Sequence, residues 1–356
     1  MTLEETLAQI NQINSSVPLP EIDISGQKKN IILDATMLTA IMNCGRFTDL
    51  RFNHSLMSIN GKSNSLECGS IAHKVLEVFY QSIIHGLKRA DAIQFGLVAG
   101  EMYIKGCPHC TEFTPHTCDK CNGVGCVYCI NGRIESPECK HPPNEYPGVK
   151  NTPPENDSKS YKIGWKWVLE TCEQYFDFYK NDFWVPLETE VVKRKILFED
   201  DEIRIMWKAK LDLTIDNNQG IFPVDHKTLK QNRTTLSLNN QFIGQCLIME
   251  TRNAIINKIG FQTTLKPVDK FTRQLMSYSS DRLLEWQSEI LPYWAYQLLS
   301  YTESGHWPPN FTNCESKYGP CMFSDVCGSD RGMRTEELKQ HFMVIPKWDV
   351  DNLEKD

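Results

Sequence analysis

The sequence predicts an α/β fold, and three observations carry that expectation. Between about 184 and 228 the chain is a series of apolar, β-branched runs broken by turn residues, as strands are. Longer segments with helical spacing, at 67–80, 90–105, 161–179, 237–249 and 280–303, stand on either side of them. With 356 residues, 40% hydrophobic and 23% charged, the chain has a globular composition and length for one large domain or two smaller ones. Four parts are expected: a helical part at 1–105, a Cys-rich insertion at 106–150, the core at 151–275, and a C-terminal helix with a second Cys segment at 276–356.

In chain order, residues 3–14 have the spacing of a short amphipathic helix, which Pro18 and Pro20 end. Asn30–Phe47 reads as a capped helix that delivers Cys44 at its end, and a lone cysteine there is ordinarily core. Gly69 and Ser70 open the next helix, which carries His73 in its first turns; such small residues let two backbones approach closely. A helix at 90–105 follows. The aromatic segment 161–179, with Trp165, Trp167, Tyr175 and Phe176, reads as core rather than as a base-stacking platform. Strands at 184–197, which carries Glu188 and Glu190, and at 202–215 lead into a hairpin. Beyond it a Ser/Asn-rich cap starts the helix that puts Gln241 near the strand ends. A strand at 258–265 and a long helix at 280–303 complete the series.

The hairpin is the centre of the reading. Lys210–Ile215 and Ile221–Thr228 flank the turn Asn217-Asn-Gln-Gly220. Side chains alternate along a strand, so Asp225 and Lys227 share a face, and cross-strand pairing can bring Asp212 beside them. Two carboxylates and an ammonium in one place suit phosphodiester hydrolysis. The carboxylates can hold Mg²⁺ or Mn²⁺, which lowers the pKa of an attacking water, and Lys227 can orient that water or neutralise transition-state charge. The plain alternative is a solvated charge pair on an exposed hairpin.

The net charge, 38 − 45 = −7, argues against a broad polyanion-binding surface. Nucleic acid would need a local groove, with Lys193–Lys195 or Lys227, Lys230 and Arg233 as candidates, although Lys193–Lys195 is more ordinarily a solvated strand face. No run of eighteen apolar residues exists, and Met1-Thr-Leu-Glu-Glu is acidic with no apolar signal core. No membrane span and a cytoplasmic location are expected.

Of fourteen cysteines, seven fall between Cys107 and Cys139 and three between Cys314 and Cys327. Without a secretion signal, such clusters read as metal ligands rather than disulfides. The CxxC pairs Cys107/Cys110, Cys118/Cys121 and Cys126/Cys129 have the bite of tetrahedral Zn²⁺, and Cys139-Lys-His141 follows. Seven cysteines with one of His109, His116 or His141 would fill two sites. The pairing is open, and His141 is taken with the seven as the ligand set for one or two Zn²⁺. A closed site leaves no position for substrate, so a structural role or the docking of a protein partner is expected. Cys121-Asn-Gly-Val-Gly also resembles the zinc repeats of DnaJ-type chaperones. Binding to unfolded polypeptide would follow from that, but it leaves the other motifs unexplained. Residues 142–160, polar and Pro-rich, read as a surface linker. Cys314, Cys321 and Cys327 are one ligand short of a four-cysteine site, and Cys44 is the candidate to complete it.

Most of the chain outside the 107–150 insertion resembles the PD-(D/E)xK nucleases of the RecB type. The likeness is to their iron–sulfur branch, which includes the AddB nuclease domain and the Cas exonucleases of CRISPR adaptation. Gly69-Ser-Ile-Ala-His73-Lys-Val-Leu-Glu77 is similar to the family's His motif, and Val224-Asp225-His-Lys227-Thr to its (D/E)xK motif. Lys210-Leu-Asp212 stands where the family has Gly-x-x-Asp, with Ala209 at the glycine. Asn240-Gln241-Phe-Ile-Gly-Gln245 resembles QxxxY with glutamine at the tyrosine. The motifs follow the family's order.

The resemblance implies a restriction-endonuclease-like core, a central mixed sheet flanked by helices. It implies Mg²⁺ or Mn²⁺ held by His73, Asp212 and Asp225, with Lys227 positioning water and Gln241 holding DNA or Lys227. It implies a 4Fe–4S cluster on Cys44, Cys314, Cys321 and Cys327 that joins the N- and C-terminal parts. The expected function is metal-dependent exonuclease action on single-stranded DNA ends, in recombination, repair or replication, from a phage or mobile element. The alternative is a catalytically inactive DNA-binding or adaptor protein that keeps the fold, which the changed tyrosine position favours.

Overall fold

A computed structural model of the chain describes residues 28–59, 64–105, 165–229, 239–262, 265–316, 319–345 and 347–348, with two strand fragments at 116–117 and 133–134. The expected 3–14 helix and the eight proposed zinc ligands, Cys107, Cys110, Cys118, Cys121, Cys126, Cys129, Cys139 and His141, lie outside the described residues.

The chain order is β1 (Lys29–Leu33), α1 (Ala35–Asn43), β2 (Leu56–Ser58), α2 (Asn64–Ile84), α3 (Arg89–Lys105), α4 (Trp165–Phe178), β3 (Val185–Glu199), β4 (Ile203–Asp216), β5 (Ile221–Leu229), α5 (Asn240–Ile248), β6 (Asn253–Gly260) and β7 (Phe271–Ser277). Beyond them come α6 (Ser280–Glu285) and α7 (Leu291–Ser304), then α8 (Ser324–Gly328), α9 (Arg334–His341) and β8 (Phe342–Val344), the last paired antiparallel with β2. Among the described residues no helix is long and apolar enough to cross a membrane.

Strand β4 is the hub of a mixed sheet flanked by helices. Along one edge β3 pairs with it antiparallel over nearly its full length. Along the other edge two strands share it: β1 pairs parallel with Ile203–Trp207 and β5 antiparallel with Leu213–Asp216. Strand β6 then runs parallel to β5, and β7 antiparallel to β6.

Alternation along β4 buries Ile203, Ile205 and Trp207 in one core, with Phe242 of α5, Leu38 of α1 and Leu298 of α7. Leu213 and Ile215 enter a second core, with Val224 of β5, Leu76 of α2 and Tyr175 of α4. Its Lys208–Asp212 stretch lies between the two cores, and among the described residues no strand pairs with it on the shared edge.

Helix α5 reaches this strand because Gly244 has no side chain. A Cβ there would stand 2.2 Å from Trp207 Nε1 and 2.4 Å from Cε2, and the ring is fully buried and wedged edge-on against Trp286. Gly244→Ala is expected to lower stability by roughly 1–3 kcal/mol through overpacking, despite alanine's better helix propensity. Thermal unfolding reads this; an unchanged or higher Tm would show the contact to be slack.

Three elements differ from the sequence reading. The segment from Asn30 to Leu33 is strand, not the start of a helix. The open edge of β4 accepts its β-branched run and leaves Ile31 and Leu33 1% exposed. The helix begins only after Asp34, whose Oδ1 accepts from the backbone N–H groups of Thr36 and Met37. The strand read at 258–265 runs at Asn253–Gly260 and gains a partner in β7, where the polar Thr272, Arg273 and Gln274 hide the apolar pattern. The helix read at 280–303 is interrupted by a π turn at Trp286–Ile290, just before Pro292, a residue with no N–H to give. The aromatic helix is as expected: Tyr175 and Phe176 are buried, and Trp167 donates from Nε1 to the Phe261 carbonyl at 2.8 Å.

Candidate functional site

The site forms where β5 leaves β4. Leu213↔Val224 is the last regular pair, so Asp212 and Asp225 are the next opposed positions as the strands part. The Asp212 carboxylate closes the gap: its Oδ2 accepts from the His226 backbone N–H at 2.7 Å. Asp225 is 1% exposed. Lys227 Nζ stands 2.8 Å from Asp225 Oδ2 and donates to Gln241 Oε1 at 3.0 Å, while Gln241 Nε2 donates to Asp225 Oδ1. Gln241 is in the first turn of α5, fixed by the Asn239 side chain, which accepts from the Gln241 backbone N–H. The Asp–Lys–Gln triangle thus draws on two elements.

His73 enters from α2. Gly69 sits four residues earlier, where a Cβ would be 3.0 Å from Thr228 Oγ1, so the helix lies close over the end of β5. The His73 Nε2 atom is 2.8 Å from the His226 carbonyl oxygen. A carbonyl only accepts, so Nε2 carries the proton. In the neutral ring that leaves Nδ1 with a lone pair, 3.7 Å from Asp212 Oδ2.

The sequence reading placed Glu190 on its strand without assigning it to the site. It lies between the regular pairs Thr189↔Leu213 and Val191↔Leu211, hence opposite Asp212, with its backbone in the left-handed region at φ 55°. A non-glycine residue held there is strained, and the strain turns its carboxylate towards His73 and Asp212. Among the described residues, His73, Glu190 and Asp212 offer the one set of ligand atoms that all lie within 4.8 Å of one another. Lys210 pairs with Glu190 at 2.8 Å. The sequence signal was there: Glu188 and Glu190 stand two apart on a strand beside the Lys210-Leu-Asp212 strand. Register decides which acid lies opposite Asp212, and sequence does not supply register.

Burial raises the Asp212 pKa, with Asp225 adding to it and His73 and Lys227 opposing. Burial likewise raises Glu190, with Asp212 adding to it against the pull of Lys210. Burial works against the Lys227 charge, but Asp225 and Asp212 outweigh it and hold the ammonium above its usual value. Crowded carboxylates that take up protons too readily are what a divalent cation relieves. Two carboxylates and an imidazole lone pair are donors that suit Mg²⁺ or Mn²⁺. The residues therefore fit such an ion.

His226 supports the site from behind. Burial, with His73 next, depresses its pKa well below the ordinary histidine value, so the ring stays neutral. Its Nδ1 accepts from Asn257 Nδ2 at 2.9 Å, and its ring stacks on Tyr80. Asn257 also donates to Tyr175 Oη, which accepts from Arg273 as well, and Arg273 is clamped by both carboxylate oxygens of Asp182.

Cys44, Cys314, Cys321 and Cys327 come together at the far end of α1. Cys44 follows the helix, and its Sγ accepts from the backbone N–H groups of Phe47 at 3.5 Å and Asn310 at 3.3 Å. Asn310 and Asn313 both donate to the Asn43 carbonyl, and a Cβ on Gly45 would stand 2.9 Å from Pro308 O. Cys321 N–H donates to Cys314 O at 2.7 Å, and Arg46 Nη1 lies 3.8 Å from Cys327 Sγ. Burial pushes the Cys314 and Cys321 thiols up, and each also feels the other cysteines of the group. Lys193 and Lys195 pair with Glu188 and Glu250, as a solvated strand face does.

No family model matches the sequence, and no curated protein matches it. Among solved structures there is a likeness to the crystal structure of SSO0001, at 14% identity and a TM-score of 0.28, over 46% of this chain and 70% of that one. So distant a likeness carries no argument.

Proposed function

We propose that the chain is a metal-dependent phosphodiesterase of the PD-(D/E)xK class. More particularly, it is a nuclease that degrades single-stranded DNA from an end. The observation that carries this reading is the convergence of Asp212, Asp225, Lys227, His73 and Gln241, drawn from β4, β5, α2 and α5, on the gap beside β4. Ion pairs on a solvated hairpin do not recruit a histidine from 139 residues upstream of Asp212 and leave an aspartate 1% exposed.

His73, Asp212 and Glu190 would hold a Mg²⁺ or Mn²⁺ ion, with Asp225 and the His226 carbonyl beside them. Such an ion supplies Lewis acidity towards the phosphate and lowers the pKa of the attacking water. The chain's own groups do the rest. Lys227 stays cationic and holds the water or the developing phosphate charge, and Gln241 fixes the ammonium. Tyr80 and Asn257 keep His226 in place, and with it the backbone that His73 and Asp212 both grip. We further propose a 4Fe–4S cluster on Cys44, Cys314, Cys321 and Cys327, and zinc in the 106–150 insertion, where a protein partner would dock.

The test is incubation of end-labelled single-stranded DNA with Mn²⁺ after anaerobic purification, wild type beside Lys227→Ala. Degradation by the wild type alone is expected, with release of label giving the polarity. Binding by both proteins without cutting by either would replace this reading with the adaptor one. Glu190→Gln is expected to raise the Mn²⁺ needed for half-maximal cleavage by about tenfold or more, the scale on which a metal site's supporting carboxylates act. An unchanged metal titration would remove Glu190 from the ligand set.

A further inference from the structure

Beside the catalytic triangle is a cavity of about 600 Å³, a size that suits a small organic ligand. It lies between the carboxyl ends of β1 and β5, which share one edge of β4 and, among the described residues, leave no strand paired with Lys208–Asp212 on that edge. Crevices at strand carboxyl ends, where neighbouring strands part, are where open α/β sheets take ligands. Lys227 is at one side of it. Its lining also includes the aromatic rings of Phe47, Phe52 and Trp348, with the Arg51 guanidinium 5.6 Å from the Trp348 ring centre.

The residue that decides the chemistry is Gln245, one turn after Gln241 on α5. It is 1% exposed, it lines the cavity, and its Oε1 has no hydrogen-bond partner among the described residues. A buried amide oxygen left bare costs stability, so its presence calls for a partner that arrives later. A phosphate or carboxylate offers acceptors only and would leave that oxygen bare. A nucleobase edge offers donor and acceptor side by side, which an amide matches, and its faces suit the aromatic rings.

We propose that this cavity receives one unstacked nucleobase of the bound strand and that the Gln245 amide reads its edge. This rests on the nuclease reading for its substrate class and adds a base subsite within about one nucleotide of Lys227. An end of single-stranded DNA can offer such a base, whereas a paired duplex cannot without flipping one out.

The test is a series of short labelled single strands with one abasic position moved along the sequence. Binding is followed by fluorescence anisotropy with Ca²⁺ in place of Mg²⁺, for wild type and Gln245→Leu. At one position the missing base is expected to weaken wild-type binding about tenfold, and Gln245→Leu should bind intact and abasic strands alike. The melting temperature of Gln245→Leu should not fall, because a bare buried amide is removed. A penalty at no position, an equal penalty in both proteins, or no binding of any strand would overturn the inference. Cleavage of the same series by wild type in Mn²⁺ separates the two claims. Uniform cutting without a binding penalty leaves the nuclease and removes the subsite, and a penalty without cutting does the reverse.

Discussion

Asp212→Asn is expected to cut DNA ~10²–10³ times more slowly than wild type while folding at least as stably in EDTA. The two halves of this prediction have one cause. Asp212 is a half-buried carboxylate near two others, Glu190 and Asp225, and desolvation, with Asp225 adding to it, raises its pKa. Asparagine keeps the acceptor for the His226 N–H, which now rests on Asp212 Oδ2, and removes the charge. Without metal the variant is therefore relieved; with metal it lacks an anionic ligand. Lys227→Ala should lose as much activity but behave differently in the melt. It strips the partner from Asp225, a carboxylate 1% exposed, and a buried charge without its counter-ion costs a few kcal/mol. Adding Asp225→Asn to Lys227→Ala should recover much of that stability and none of the cleavage. Single-turnover rates with thermal melts in EDTA give both numbers. An Asp212→Asn enzyme working at more than a tenth of the wild-type rate would remove Asp212 from the centre.

The part of this site legible in the sequence was the part whose spacing is local. Asp225 and Lys227 are two residues apart on a strand, the Asn217–Gly220 turn announces its hairpin, and the structure pairs the two strands as the turn requires. Asp212 and Gln241 followed because each lies within one element of that hairpin. What stayed hidden depends on register or on tertiary pairing. Glu190 becomes a neighbour of Asp212 only through the β3–β4 register, and two acids on β3 were equally eligible. The strand character of Ile31 and Leu33 was overridden by helical spacing further along. It becomes visible only when the edge of β4 is known to be free for them. Gln245 looked like a defect in a motif. Only its burial beside a cavity gives it chemistry of its own.

On the proposed cluster, Cys314→Ala purified without oxygen is expected to hold less iron than wild type and to lose visible absorbance and most of its soluble yield together. The argument is about chain geometry. Cys44 and Cys314 are 270 residues apart, and between them lie the whole of the second core and most of the first. Closing a loop of that length removes so much freedom from the unfolded chain that a single cross-link is worth ~5 kcal/mol in the polymer estimate. Without it the junction keeps the β2–β8 ladder, a small apolar cluster of Leu50, Leu56, Phe323, Val326 and Leu338, the Arg46 N–H bond to the Pro308 carbonyl and two asparagine bonds to the Asn43 carbonyl. Of these only the asparagine bonds reach α1 itself, at its last residue, and α1 is one wall of the cavity that Lys227 lines. Loss of the proposed cluster should therefore reach the proposed catalytic site through α1, although no cysteine of the group lines the cavity there. The control is Cys172→Ala: Cys172 is fully buried against α2 and its thiol is pushed up to about 12 by burial alone, as befits a packing residue. It should cost stability through a small cavity and keep all the iron. Metal analysis of the wild type decides between the two four-cysteine chemistries. About four iron atoms per chain at this group supports the cluster, whereas zinc here, or an iron-free Cys314→Ala that is soluble and fully active, would refute it.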